Sequence, residues 1–317
     1  MRILMILSLM TIFVGCSMIN RVAIRTTANV VEKGSDELLT EGNWEFFKAS
    51  APGNIKLLEG LWFADQENEK LLGLLVKGHA AYAFAVHETR ALEDILLERS
   101  SSLKTEQAIL HYEKALFYGT KFLSLKGITS EQFFAKDFSV KLTETFNKKM
   151  NDDDLVTLFY FAQALGSSIN LQRDNVSKMG YLSHVKSLLN WVCKQNPNLE
   201  RGSCGLFQSV IEASTPTLLG GSQERAKTMF QKVIDNQPYN LMARLSYIQY
   251  HLIPMLEEDE FEIEMATLKK DIKVWYAGIK DNSQKVSPFK NKADFNLFNA
   301  MAKKRFESIA KLKKEIF

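Results

Sequence analysis

The five histidines, His79, His87, His111, His184 and His251, are the first side chains to test for chemistry. A helical zinc hydrolase site needs two histidines one turn apart with a Glu beside the first. No pair here has that spacing. His87-Glu88 lies in a helical pattern, but one imidazole and one carboxylate form neither a metal site nor a catalytic dyad. Each His reads as a helix-surface or interhelix residue. Gly220-Gly221 lacks the Gly-Lys-Ser/Thr that completes a phosphate loop, so Gly221 permits a turn and Ser222 caps the helix that follows. No serine sits in a nucleophile elbow. The run Asn151-Asp152-Asp153-Asp154 precedes hydrophobic residues rather than spaced oxygen ligands. It therefore reads as a helix N-terminus, where carboxylates satisfy free N–H groups and favour the dipole, and not as a calcium loop. These residues point away from an enzyme, and no metal or cofactor is expected.

Three cysteines remain, Cys16, Cys193 and Cys204. Cys193 and Cys204 flank the turn Asn196-Pro197-Asn198. Two readings stand for them: a disulfide across a helical hairpin in an oxidising compartment, or two buried small side chains.

The elements that would position these groups are helices. Pro occurs only 6 times in 317 residues, and Leu, Ala, Glu and Lys recur at helical spacing with no convincing alternation. Asn54 to Ala64 carries Leu57, Leu58, Leu61 and Trp62 on one stripe. Lys70 to Glu98 is a long helical stretch, in which Gly73 and Gly78 suggest close helix contact. A stripe from Tyr112 to Leu123 ends at Gly127. Residues 127–150 are less regular and read as a crossover containing Phe133, Phe134 and Phe138. Gly180 to Gln195 then pairs with Ser203 to Ser214, and Gln223 to Asn236 with Asn240 to Pro254. Turns recur about 40 residues apart, as in alpha-hairpin repeats related to tetratricopeptide repeats. A helix from Asp259 to Ala277 and an amphipathic helix over 294–316 close the chain. Lys303-Lys304-Arg305 and Lys311 to Lys314 read as solvated helix face, because Glu307 and Glu315 accompany them. A formal charge of +3 gives no reason to expect nucleic acid.

The beginning of the chain carries an address. Arg2, an apolar run from Ile3 to Val14, then Gly15-Cys16 have the order of an export signal. The run is too short to span a bilayer, which takes about 20 residues. The resemblance is to a lipoprotein signal with Phe13 in place of the usual Leu, and an ordinary cleaved signal is the alternative. Residues 1–15 are thus expected to be a leader, Cys16 the lipid attachment point (palmitate among its acyl chains), and 16–42 a tether. Residues 43–317 would form the all-α domain, with first hairpins over 43–126, the crossover over 127–150, C-terminal hairpins over 151–277 and the terminal helix over 294–316. Ser17 after the Cys, where Asp would retain a lipoprotein at the inner membrane, implies the outer membrane facing the periplasm.

Four segments carry a family resemblance. The first is Leu57-Leu58-Glu59-Gly60-Leu61 with Asn68 to Leu75, leading to Gly78, Ala80, Ala81, Tyr82, Ala83 and Phe84. The second is His111 to Leu123. The third is Asp153 to Ile169. The fourth is Leu218 to Ser222 with Ala226, Phe230, Asn240-Leu241 and Tyr247 to Tyr250. In this order, behind a lipoprotein signal, the chain from about Ala49 to Leu268 resembles the TatT family, the periplasmic lipoprotein component associated with TRAP (tripartite ATP-independent periplasmic) transporters. The tail beyond Leu268 is longer and more basic than that family leads one to expect. The resemblance implies a homotrimer of helical-repeat subunits, each with a groove or pore. It also implies association with a periplasmic solute-binding protein and a hydrophobic small molecule as ligand. Trp62, Tyr82, Phe84 and Tyr118 are the candidates to line the groove, with plain core packing as the rival role for each. Two other functions compete: an outer-membrane assembly scaffold that holds peptide segments, and a structural envelope lipoprotein without ligand.

Overall fold

The computed structural model describes residues 21–99, 102–146, 150–280 and 288–317. The leader, Cys16 and the start of the tether lie outside the described residues. Every regular element among the described residues is helical, and no strand occurs among them.

Helix α1 covers residues 21–35, inside the segment read as a tether. Ala28 is nonetheless fully buried against the core. Arg25 pairs with Asp65 at 3.5 Å, and Lys70 pairs with Glu32, so α1 is held across the ends of the next two helices.

Helix α2 (Trp44–Ala64) begins ten residues before its expected start at Asn54. Pro52 interrupts the sequence pattern because it cannot donate and crowds the preceding turn. Three things carry the helix through it: the Asn43 side chain accepts from the Glu45 and Phe46 amides, Phe47, Ala51, Ile55 and Leu58 are buried at helical spacing, and the indole of Trp44 donates to the Ala85 carbonyl at 2.7 Å. Helix α3 (Glu69–Tyr82), capped by Asn68, runs through a π-turn (Ala83–Glu88) into α4 (Thr89–Leu96). Gly73 is a close-contact glycine: a Cβ there would stand 2.5 Å from the Thr157 hydroxyl, whereas at Gly78 it would meet Ile55 at an ordinary 3.4 Å.

Helix α5 (Leu103–Leu125) ends at Gly127 with φ +93°, where the Ile128 amide reaches back to the Leu123 carbonyl. The crossover holds two short helices, α6 (Ser130–Phe134), closed by a Thr129–Gln132 capping box, and α7 (Phe138–Thr145). Its phenylalanines divide: Phe133 and Phe138 enter the core and Phe134 stays exposed. Helix α8 (Asp152–Asn170) starts at Asn151, whose side chain accepts from the Asp154 amide, so the acidic run does cap a helix. A short α9 (Val176–Met179) leads to α10 (Leu182–Gln195) and α11 (Leu199–Ser214).

Helix α12 (Gln223–Asn236) is capped by Ser222 as expected, but Gly220, not Gly221, takes the left-handed turn at φ +85°. Gly221 serves a different need, since a Cβ there would collide with the Thr215 carbonyl. Helix α13 (Leu241–Tyr247) passes through a second π-turn (Ile248–Leu252) into α14 (Ile253–Met255). The chain closes with α15 (Glu258–Lys280) and α16 (Asn296–Ile316).

Burial of apolar faces drives this arrangement. Two hydrophobic clusters result. One, around Leu72, Tyr112, Leu158 and Leu188, belongs to α3, α5, α8 and α10. The other, around Phe47, Phe230, Leu245, Leu268 and Ile309, belongs to the first half of α2 with α12, α13, α15 and α16. Phe84, in the first π-turn, packs against both.

Candidate functional site: a cavity between the two cores

A π-turn shifts backbone hydrogen bonding from four to five residues and frees carbonyls at its edges for side chains. Arg305 exploits both π-turns. Its Nη2 donates to the Phe84 carbonyl at 2.7 Å, Nη1 to Gln249 Oε1 at 3.2 Å and Nε to Thr89 Oγ1 at 2.9 Å. The guanidinium also lies over the Phe84 ring, 4.3 Å from its centroid. Arg305 is 0% exposed, which corrects its reading as part of a solvated face; Lys303 and Lys304 just before it do reach solvent.

Glu88, also fully buried, stands 3.8 Å from Arg305 Nη2 and accepts a short hydrogen bond from the Tyr112 hydroxyl. Burial pushes the Glu88 carboxyl up, against the pull of Arg305 and of hydrogen bonds with Tyr112 and Ser167. The Tyr250 phenol, in the second π-turn, is pushed up to about 12, chiefly by burial and by the Glu88 charge, so it remains a neutral donor.

Beside this polar knot is a cavity of about 100 Å³. Phe84 and Ala85 come from the first π-turn, Phe159, Tyr160, Gln163 and Ser167 from α8, Leu206, Phe207 and Val210 from α11, Met242 and Ser246 from α13, and Leu297, Phe298 and Met301 from α16. Phe84, Gln163, Leu206, Phe207 and Phe298 are only half-buried, as residues facing a solvent-connected cavity should be. The walls are mostly hydrocarbon and aromatic ring, with a few polar groups spread among α8, α11, α13 and the second π-turn. That is the composition of a site for a largely apolar small molecule.

A larger cleft of about 710 Å³ lies beneath α1, lined by Glu32, Asp36, Lys70, Lys77, Asp152, Asp153, Asp154 and Glu200 among others. Several of its charges are held in ion pairs. Lys126 bridges Glu69 at 2.7 Å and Asp154 at 3.0 Å, and Lys77 meets Glu200 at 3.1 Å. Glu200 Oε2 also accepts from the Tyr160 hydroxyl at 2.8 Å, so this trio stands between the polar cleft and the apolar cavity. Glu200, Arg201 and Gly202 all have positive φ (46°, 60° and 79°), a run that L residues adopt only under constraint. Packing supplies that constraint: the Arg201 carbonyl accepts from Gln237 Nε2 at 3.1 Å, and a Cβ on Gly202 would strike the same amide.

The four aromatic candidates separate in space. Phe84 lines the cavity. Trp62 stands edge-on to Tyr118 at 5.1 Å between α2 and α5, and its indole donates to the Gln66 carbonyl. Tyr82 packs edge-on against His87 and His111, each at 5.0 Å. Neither these three residues nor their contacts belong to the cavity wall.

Three histidines that show no motif in sequence converge. His79 Nδ1 and His111 Nδ1 are 3.0 Å apart, and the His87 ring stacks on His111 at 4.9 Å. Burial, with the neighbouring Lys114 charge, lowers His79 to about 4; burial and the other two imidazoles lower His111 to about 3. Among the described residues, no three His, Cys, Asp or Glu side chains are placed to hold a metal ion. Cys193 and Cys204 meet across the α10–α11 turn with sulfurs 2.16 Å apart and Cα atoms 5.7 Å apart.

Among the described residues no helix is long and apolar enough to cross a membrane. No curated protein matches the chain. The family model described as TRAP transporter T-component matches residues 40–274, which includes both π-turns and most of the cavity wall, while the part of the wall given by α16 lies beyond it. The chain belongs to the TRAP transporter T-component family.

Proposed function

We propose that the protein is a non-enzymatic, ligand-holding component of a TRAP-type transporter, anchored through acylated Cys16 in the cell envelope. Its stacked helix pairs act as a repeat scaffold around the cavity, which receives a hydrophobic small molecule against Phe84 and exchanges it with the transporter's solute-binding protein. The observation that carries this reading is the solvent-connected, apolar cavity at the seam of the two cores. A purely structural lipoprotein has no need of such a void, because unfilled core space costs dispersion contacts. The family's transport role supports the partner. The Ser17 sorting pattern supports the outer membrane, and the family resemblance supports the homotrimer.

The test is co-purification of the full chain with the solute-binding protein of a TRAP-type transporter from the same cell, read by light scattering. A defined complex built on a trimeric core is expected. Two proteins that elute separately at concentrations well above micromolar would contradict the proposal.

A further inference from the structure

Helix α1 is fastened to the body through buried Ala28 and the pairs Arg25–Asp65 and Lys70–Glu32. Its first residue, Arg21, stands five positions after Cys16. Five residues span at most about 18 Å when fully extended, whereas a domain of this size is about 50 Å across. With Cys16 acylated, the bilayer therefore meets the end of the molecule where α1 begins.

Arg25 sets that end beside the last turn of α2, because its partner Asp65 is the residue that follows the helix. The surface there is aromatic. Phe63 is 76% exposed and Phe117 50% exposed, and the half-buried Trp62 stands edge-on to Phe117 with ring centroids 6.2 Å apart. The Lys121 ammonium lies over both rings, 5.7 Å from the Trp62 centroid and 4.9 Å from that of Phe117. Exposed Val22 adds an apolar side chain one turn before Arg25 on the same face of α1.

Large apolar side chains grouped in water mark a surface that something covers. Aromatic rings beside a lysine fit a bilayer interface, where rings sit at the level of the head groups and a long cationic side chain reaches the phosphates. Docking that would be weak for a free protein becomes effectively intramolecular once a short tether holds body and bilayer together.

We propose that Trp62, Phe63 and Phe117, with Lys121 and Val22, form a face that docks on the phospholipid bilayer carrying the Cys16 anchor and so fixes how the body stands on the membrane. The inference rests on the reading of Cys16 as acylated.

The experiment reconstitutes the acylated chain into vesicles of phosphatidylethanolamine and phosphatidylglycerol whose acyl chains carry bromine, a quencher of tryptophan at short range. Trp44 and Trp275 are buried in the core and Trp191 packs against Phe146, so Trp62 is the tryptophan at the proposed face. Wild-type fluorescence should be quenched at least threefold more than that of Trp62→Phe. Phe63→Ser, at an exposed position, should cut the quenching at least twofold while the protein stays with the vesicles, and a thermal melt controls for folding. Equal quenching of wild type and Trp62→Phe, as when a second copy covers Trp62 instead, or quenching that survives Phe63→Ser, would overturn the docking face while leaving the anchor. A chain that carries no acyl group by mass and separates from the vesicles would overturn the anchor reading and the docking face with it.

Discussion

Arg305 on α16 donates to the backbone carbonyl of Phe84, 221 residues earlier in the chain, at 2.7 Å. The two residues join the last helix to the first π-turn, and through Gln249 the same guanidinium reaches the second. One buried cation thus ties the cavity wall at Phe84 to both π-turns, where the helices are locally unwound to hydrogen bonds spanning five residues.

Arg305→Ala should destabilise the fold by about 3–5 kcal/mol, because it leaves the buried Glu88, Gln249 and Phe84 groups without their partner. Arg305→Lys should recover only part of this, since an ammonium cannot serve three divergent acceptors with the same geometry. Urea denaturation of the three proteins checks the order.

The Cys193–Cys204 link should contribute about 3 kcal/mol by closing a short loop in the unfolded chain, in the chain-entropy account of cross-linking. Cys204→Ser, or the wild-type protein under reductant, should show the lower melting temperature. Reductant should have no effect on the variant.

The histidine cluster gives stability a pH dependence of definite sign. His79 and His111 are lowered in the fold to about 4 and about 3, so between these values and the ordinary imidazole range near 6.5 the unfolded chain binds more protons. Stability contributed by the neutral imidazoles is present above about 6.5 and declines as pH falls from there toward 4. His111→Gln should flatten the decline between pH 7 and 5, as measured by melting temperature at matched ionic strength.

Two glycines should respond in opposite ways to alanine. Gly119 faces the Phe161 ring inside contact distance, so Gly119→Ala should cost about 1–3 kcal/mol through overpacking. Gly60 on α2 has open space where a Cβ would stand, so Gly60→Ala should stabilise by about 0.5–1 kcal/mol. Chemical denaturation distinguishes the two.

Much of this architecture is legible in sequence because helices announce themselves by period and by caps. Asn151, Ser222 and Gly127 are each found where local chemistry puts them. The site is less legible. Arg305 lies in a basic run with Lys303 and Lys304, yet it falls on the stripe Met301, Arg305, Ile309, Leu312, whose other members are all buried. Helical phase, more than charge density, carries the burial of Arg305. The histidine cluster has no sequence motif because its members come from two helices, α5 and the α3 path with its π-turn. The π-turns are equally silent, since one added residue per turn leaves no compositional mark. Trp62 and Tyr118, like Phe84, are aromatics on helical stripes, but a stripe does not say which neighbour it faces. Theirs is the α2–α5 contact.

The most direct test of the account is to fill the cavity. Leu206 is half-buried in its wall, so Leu206→Trp can occupy the space without removing a hydrogen bond. Titration of wild-type and variant chains with a fluorescent naphthalene probe should show saturable one-to-one binding to the wild type and at least tenfold weaker binding to the variant, with melting temperatures alike. Equal affinity in the two proteins would place the ligand elsewhere and contradict the central claim.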